Sequence, residues 1–269
     1  MATGRRRGLD VDHPHTTLAR RDLLRRKPFL RSVYRDWYGR ILAALPAGGG
    51  RVLEIGSGGG FLRELLPSAI SSEIVAWQGV SLVANAHALP FPAGSLRAIV
   101  MTNVFHHLPN ARGFLREAAR ASRGGGAIAM VEPWVTPWSR LVYRHLHEEP
   151  FEPDVPEWEF PSSGPVSGAN NALPWMMFAR DRARFERELP EWSIERIEPF
   201  MPVAYLISGG MSYPGLMPGF TYGLWRGLEA AAAPIMDRVA MFALIVLRRR
   251  AGTSPAPTSP LPRSSTAPP

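Results

Sequence analysis

The segment VLEIGSGGG, Val52 to Gly60, constrains this 269-residue chain more than any other stretch. An apolar run containing Glu54 gives way to Gly56, Gly58 and Gly60, and helix-forming residues follow. A strand that delivers its backbone into a glycine turn carries it to the carboxyl edge of a sheet, where missing Cβ atoms let a ligand approach closely. The pattern therefore predicts a nucleotide-sized pocket, against the plainer reading of a tight strand-to-helix connection. Two details sharpen it. The dinucleotide fingerprint needs a third glycine where Phe61 stands, and the carboxylate of Glu54 repels phosphate but suits an amine, directly or through water. Glu73 follows about 18 residues beyond the turn, close to where such sheets place an acid for ribose hydroxyls. A solvated strand-end charge is the competing reading of that residue.

Around this turn the chain reads as short apolar strands alternating with helices, the signature of a parallel sheet with crossovers. Strands are expected at Arg51–Ile55, Glu73–Ala76, Ser81–Ala84, Ala98–Asn103 and Ala127–Glu132, with later strands at Ser193–Ile197 and Met241–Leu247. Helices are expected at Gly60–Leu66, Ala111–Ser122, Ser139–His147 and Arg180–Leu189. Two amphipathic helices separated by Pro28 fill residues 16–46. The fold class is α/β, with one domain over residues 16–250: N-terminal helices, a ligand-binding core at 51–133, an insertion at 134–225 and a last strand at 241–248. Residues 1–15 and 251–269 are polar or Pro/Ser/Thr-rich and read as disordered tails.

Composition removes several classes of function. The chain has no cysteine, which excludes disulfide frameworks, zinc-thiolate sites and thiol nucleophiles. The net charge of +8 gathers toward the ends, at Arg5–Arg7, Arg20–Arg31 and Arg248–Arg250. No nucleic-acid-binding motif accompanies these runs, so nucleic acid is not the expected partner, whereas peripheral contact with an anionic membrane stays open. No apolar signal region follows the basic N-terminus, and the longest purely apolar run, Val239–Leu247, is too short to cross a bilayer. A cytoplasmic protein is expected.

Taken together, VLEIGSGGG, then SSEI at Ser71–Ile74, then VANAHALPFPAGSLRAIVMTNVFHHLP at Val83–Pro109 resemble the class I S-adenosylmethionine-dependent methyltransferases of the methyltransferase type 11 group. The resemblance spans Arg51–Pro133. It implies a Rossmann-like seven-stranded sheet of order 3-2-1-4-5-7-6 with strand 7 antiparallel, and S-adenosylmethionine as cofactor. It further implies that Gly56, Ser57 and Gly58 line the methionine part, with Gly60 completing the turn. Glu73 would accept from the ribose hydroxyls and Ile74 would pack on adenine. Asn85 stands where the family usually has Asp for the adenine amino group, a departure that keeps an uncharged acceptor, and the Ala86 amide would meet a ring nitrogen. Arg97 is a second departure, at a position usually structural.

Methyl transfer asks a protein to align a nucleophile, exclude water and sometimes remove a proton. Asn103 to His107 fall at the sheet edge that faces the methyl group, and His106 and His107 are the candidate catalytic residues. Loop structure is the competing reading for both. Glu132 and the cluster His145, His147, Glu148 and Glu149 are further candidates. His145 and His147 are two apart and face different sides of a helix, unlike a zinc-binding pair, so a solvated helix end and no metal are expected. Pro199–Trp225 carries no charge and is rich in aromatic residues, Gly and Pro, which suits a lid over an apolar or ring-shaped acceptor, with Gly209 and Gly210 as hinges. The expected acceptor is a small molecule, apolar or glycan- or lipid-linked, methylated at oxygen. A non-catalytic cofactor-binding scaffold subunit and a nicotinamide-dependent oxidoreductase are the alternatives; Glu54 and Phe61 argue against the latter.

Overall fold

The computed structural model describes residues 21–76, 79–147, 149–162, 164 and 168–252. Apart from Ala251 and Gly252, the two expected tails lie outside these residues. Residues 21–26 are helical, and helix α1, Pro28–Ala43, follows after a break at Lys27. Pro28 opens α1 in its first turn, where an N–H would have no partner within α1 and the break at Lys27 separates it from the preceding turns.

Seven strands form one sheet: β1 (Arg51–Ile55), β2 (Ile70–Glu73), β3 (Leu82–Val83), β4 (Leu96–Thr102), β5 (Ser122–Pro133), β6 (Trp192–Phe200) and β7 (Phe242–Arg249). Their order is β3-β2-β1-β4-β5-β7-β6, as the family resemblance implies. The first five pair in parallel, and β7 runs antiparallel to both β5 and β6. Successive side chains of a strand point to opposite faces, and here both faces are covered. Along β7, Phe242, Leu244 and Val246 join the core on the α1 side, while Ala243, Ile245 and Leu247 join the core on the other. That is why this strand reads as an uninterrupted apolar run instead of an alternating one. The second face is covered by helix α2 (Ala111–Ala121), through Phe114, Leu115 and Ala118, and by Met176, Phe178 and Phe185 of the insertion.

Two expectations shift. The second strand ends at Glu73 instead of beginning there, because Ser71 and Ser72 form the buried part of β2. Their hydroxyls are satisfied: Ser72 Oγ donates to the Glu54 carbonyl at 2.8 Å, and Ser71 Oγ lies 3.1 Å from Ser81 Oγ. The insertion is also not continuous, since β6 returns to the sheet and splits it. One part, before β6, holds helix α3 (Pro137–Leu146), a π turn over Met176–Arg180 and helix α4 (Arg182–Glu188). The other lies between β6 and β7 and contains helix α5 (Tyr222–Ala231). No described helix is long and apolar enough to cross a membrane.

Candidate active site

The carboxyl ends of β1, β2 and β4 open onto a cavity of about 360 Å³. Its floor is the glycine turn. Gly56 adopts φ +66°, and a Cβ there would lie 2.4 Å from Val104 Cγ2, so both conformation and space demand glycine. Gly58 and Ser57 also line the cavity, and the Gly58 amide donates to Glu73 Oε1. With the strand ending at Glu73, this carboxylate stands at the sheet edge, and Ile74 beyond it is 38% exposed on the cavity wall. Ala86 and Asn103 are wall residues too. Asn103 takes a left-handed φ of +54°, which asparagine tolerates better than most residues.

Three of the expected cofactor residues do not line this cavity. Gly60 closes the turn, donating its amide to the Ser57 carbonyl at 2.8 Å. Asn85 spends its side-chain oxygen locally, accepting from the His87 amide at 2.9 Å. Glu54 is fully buried one layer behind the wall. Its Oε1 accepts from the Tyr38 hydroxyl at 2.6 Å, and that hydroxyl lies 3.0 Å from Thr102 Oγ1; Tyr38 and Thr102 both face the cavity. Burial, with the nearby charge of Glu73, raises the Glu54 carboxyl to about 8 even though the Tyr38 hydrogen bond pulls the other way. Tyr38 belongs to α1 and had no local sequence signal.

Buried polar atoms are nearly always paired, so those that are not point to an absent partner. Glu54 Oε2, Ser57 Oγ and Asn103 Oδ1 are all buried without one, and all three belong to the sheet edge around the glycine turn. An amine-bearing ligand has the donors that these acceptors lack.

Opposite the turn lies a second polar group. Glu132, fully buried at the end of β5, accepts through Oε1 from the Val104 and Phe105 amides, each at 2.8 Å, and through Oε2 from His106 Nδ1 at 2.7 Å. This one carboxylate fixes the loop after β4. Burial alone would lower the His106 pKa, but the Glu132 hydrogen bond and the Glu149 carboxylate outweigh it and raise the group to about 9. With nothing bound beside it, this arrangement favours the imidazolium of His106. His107 is displaced the other way, to about 4, by burial and by the charge of His106. Its Nδ1 donates to the Gly168 carbonyl at 3.0 Å, leaving the Nε2 lone pair toward Glu149 Oε1, 3.7 Å away.

Glu149 corrects the expectation of a solvated helix end. It lines the cavity, accepts from Asn171 Nδ2 at 3.2 Å, and is held well below the usual carboxylate range because the neighbouring histidines outweigh its partial burial. His147 also borders the cavity, His145 is exposed outside it, and Glu148 lies outside the described residues.

The roof comes from the segment between β6 and β7. Tyr205, Leu206, Gly209, Gly210, Met211 and Tyr213 all face the cavity. Gly209 has φ +71°, and a Cβ on it would lie 2.2 Å from the Pro214 carbonyl oxygen. This expected hinge is therefore a closely packed turn. Lys27 Nζ donates to the Gly210 carbonyl at 2.7 Å and to that of Tyr213, binding the roof to the N-terminal helices. Farther along, Phe220, Leu224 and Leu228 stand one helical turn apart and are 89%, 67% and 54% exposed. Gly219, beside Phe220, packs against Pro28 at the start of α1.

Comparison with known proteins agrees with this geometry. Residues 53–130 match the family model described as a methyltransferase domain. The fold is similar to a chain from the complex between the Haloferax volcanii Trm112 methyltransferase activator and a methyltransferase, with 14% identity, TM-score 0.52, and coverage of 91% of this chain and 100% of that one. It is also similar to an S-adenosylmethionine-dependent methyltransferase from Thermotoga maritima, with 16% identity, TM-score 0.51, and coverage of 87% and 99%. At these identities the likeness speaks to the fold. A search of the curated proteins found no match.

Proposed function

With residues 53–130 a methyltransferase domain of the type 11 group, we propose that this protein transfers a methyl group from S-adenosylmethionine to a hydroxyl oxygen of a small, largely apolar acceptor. The observation that carries the reading is the trio of unpaired buried oxygens on Glu54, Ser57 and Asn103 at the glycine turn. The cofactor supplies an electrophilic methyl group on a sulfonium when bound. The chain's own residues do the rest. Ser57 and Asn103 take the amino-acid end, with the Glu54 carboxylate one layer behind them acting through its charge and through the Tyr38 hydroxyl, Glu73 takes the ribose, and Ile74 with Ala86 flanks the base. Asn85 contributes less than the family pattern implies, because its oxygen already serves the His87 amide.

The acceptor end is apolar on the roof side, where Tyr205, Leu206 and Met211 exclude water, and polar at His107, Glu149 and Asn171. A molecule with one hydroxyl on an apolar body suits that division. The exposed row of Phe220, Leu224 and Leu228 further suits an amphiphile drawn from a lipid surface.

Radiolabelled methyl transfer into lipid and aqueous extracts of the native host tests the reading, with Glu73→Ala as control. The expected result is an extractable small molecule labelled by the native protein and not by the variant. Absence of calorimetric binding at millimolar S-adenosylmethionine would instead favour a scaffold subunit.

A further inference from the structure

We infer that His106, His107 and Glu149 form a three-ligand site for one divalent transition-metal cation, open on the side that faces the cavity. The ligand atoms of these three side chains all lie within 4.8 Å of one another. His106 Nε2 is 3.5 Å from Glu149 Oε2, and His107 Nε2 is 3.7 Å from Glu149 Oε1. Both separations exceed an ordinary N–H···O hydrogen bond. They are close to the spacing of about 3.3 Å between ligand atoms that bonds of about 2 Å impose around a tetrahedral ion.

The surroundings are those of a prepared site. A metal-bound imidazole characteristically donates its other ring N–H to a carboxylate or a backbone carbonyl, which fixes the tautomer and aims the lone pair. Both versions are present side by side: His106 Nδ1 donates to Glu132, and His107 Nδ1 donates to the Gly168 carbonyl. Glu132 is itself immobilised by the Val104 and Phe105 amides, so the support extends into the sheet. The third ligand, Glu149, is oriented by Asn171. The loop carrying these groups is pinned to the first histidine, because the Asn170 amide donates to the His106 carbonyl at 2.9 Å.

Two imidazoles and one carboxylate with open positions suit zinc or ferrous iron better than magnesium or calcium, which prefer oxygen ligands. All three side chains border the cavity, so the open positions can accept an oxygen from a molecule bound there. That use of the ion rests on the methyl-transfer reading above; the site itself does not.

Binding is therefore tested without S-adenosylmethionine, by titrating Co²⁺ into tag-free, chelator-treated full-length protein and following its visible d–d absorption. The expected result is one equivalent bound per chain, with the spectrum of a four- or five-coordinate ion carrying imidazole ligands. His107→Ala and Glu149→Gln, both partly solvent-facing positions, each weaken Co²⁺ at least about tenfold. His145→Ala, outside the cavity, leaves affinity unchanged. Circular dichroism confirms that each variant folds. Absence of saturable 1:1 binding, or binding unchanged in folded His107→Ala and Glu149→Gln proteins, overturns the site. A site confirmed by Co²⁺ alongside absent S-adenosylmethionine binding would overturn the methyl-transfer reading alone.

Discussion

Cofactor affinity should rise with pH between about 6 and 7.5. In the cofactor-free fold, burial raises Glu54 to about 8, so this side chain is neutral at mildly acid pH. A bound ammonium one layer away favours the ionised form, so binding is coupled to loss of the proton. The ionised fraction is about 1% near pH 6 and about a quarter near pH 7.5, so the Kd should fall roughly 25-fold across that interval, or about 2 kcal/mol. His106 and His107, displaced to about 9 and about 4, contribute little slope there. The same group sets the direction of the stability effect. A carboxyl whose folded pKa is raised stabilises the fold below its unfolded pKa of 4.5, and that contribution is lost as pH rises through about 8. Cofactor offsets the loss, so the thermal shift that it produces should be larger near pH 7.5 than near pH 6. Calorimetric titration at several pH values, in buffers of differing ionisation enthalpy, measures both Kd and the proton released. Glu54→Gln should bind more weakly at the higher pH and lose the slope. A Kd independent of pH in the native protein, or a slope unchanged in Glu54→Gln, refutes the assignment.

Other consequences are as direct. Gly56→Ala places a Cβ 2.4 Å from Val104 at positive φ and should destabilise the fold by about 2–5 kcal/mol in denaturant titration, whereas Gly60→Ala, with open space around it, should cost about 1–2 kcal/mol. Replacing Phe220, Leu224 and Leu228 together with serine should abolish co-flotation with phosphatidylserine-containing vesicles while leaving the melting temperature within a few degrees, since these side chains are exposed.

The sheet was legible because its signals are local. The VLEIGSGGG turn and the apolar stretches of β4, β5 and β7 each announce a strand within a few residues, and the resemblance over Arg51–Pro133 supplied the order. The second strand was misplaced because Ser71 and Ser72 are buried by hydrogen bonding instead of apolarity, which a hydropathy pattern does not register. At the site, Gly56, Ser57, Gly58, Glu73, Ile74, Ala86 and Asn103 border one cavity. Tyr38 escaped notice, and Glu149 was read as part of a solvated helix end, for a different reason. They come from α1 and from the chain after α3, and only tertiary packing brings them to Glu54 and His106. Glu132 was visible as a strand-end acid, but its grip on two amides and an imidazole belongs to the geometry of neighbouring β4 and β5.

The ammonium of Lys27 acts as a latch whose keeper is a pair of carbonyls in the roof, at Gly210 and Tyr213. Whatever draws that lysine aside also unfastens the ceiling over the acceptor. A phosphodiester headgroup is a stronger claimant for an ammonium than a neutral carbonyl. On an anionic surface such a headgroup would therefore loosen the roof over the cavity.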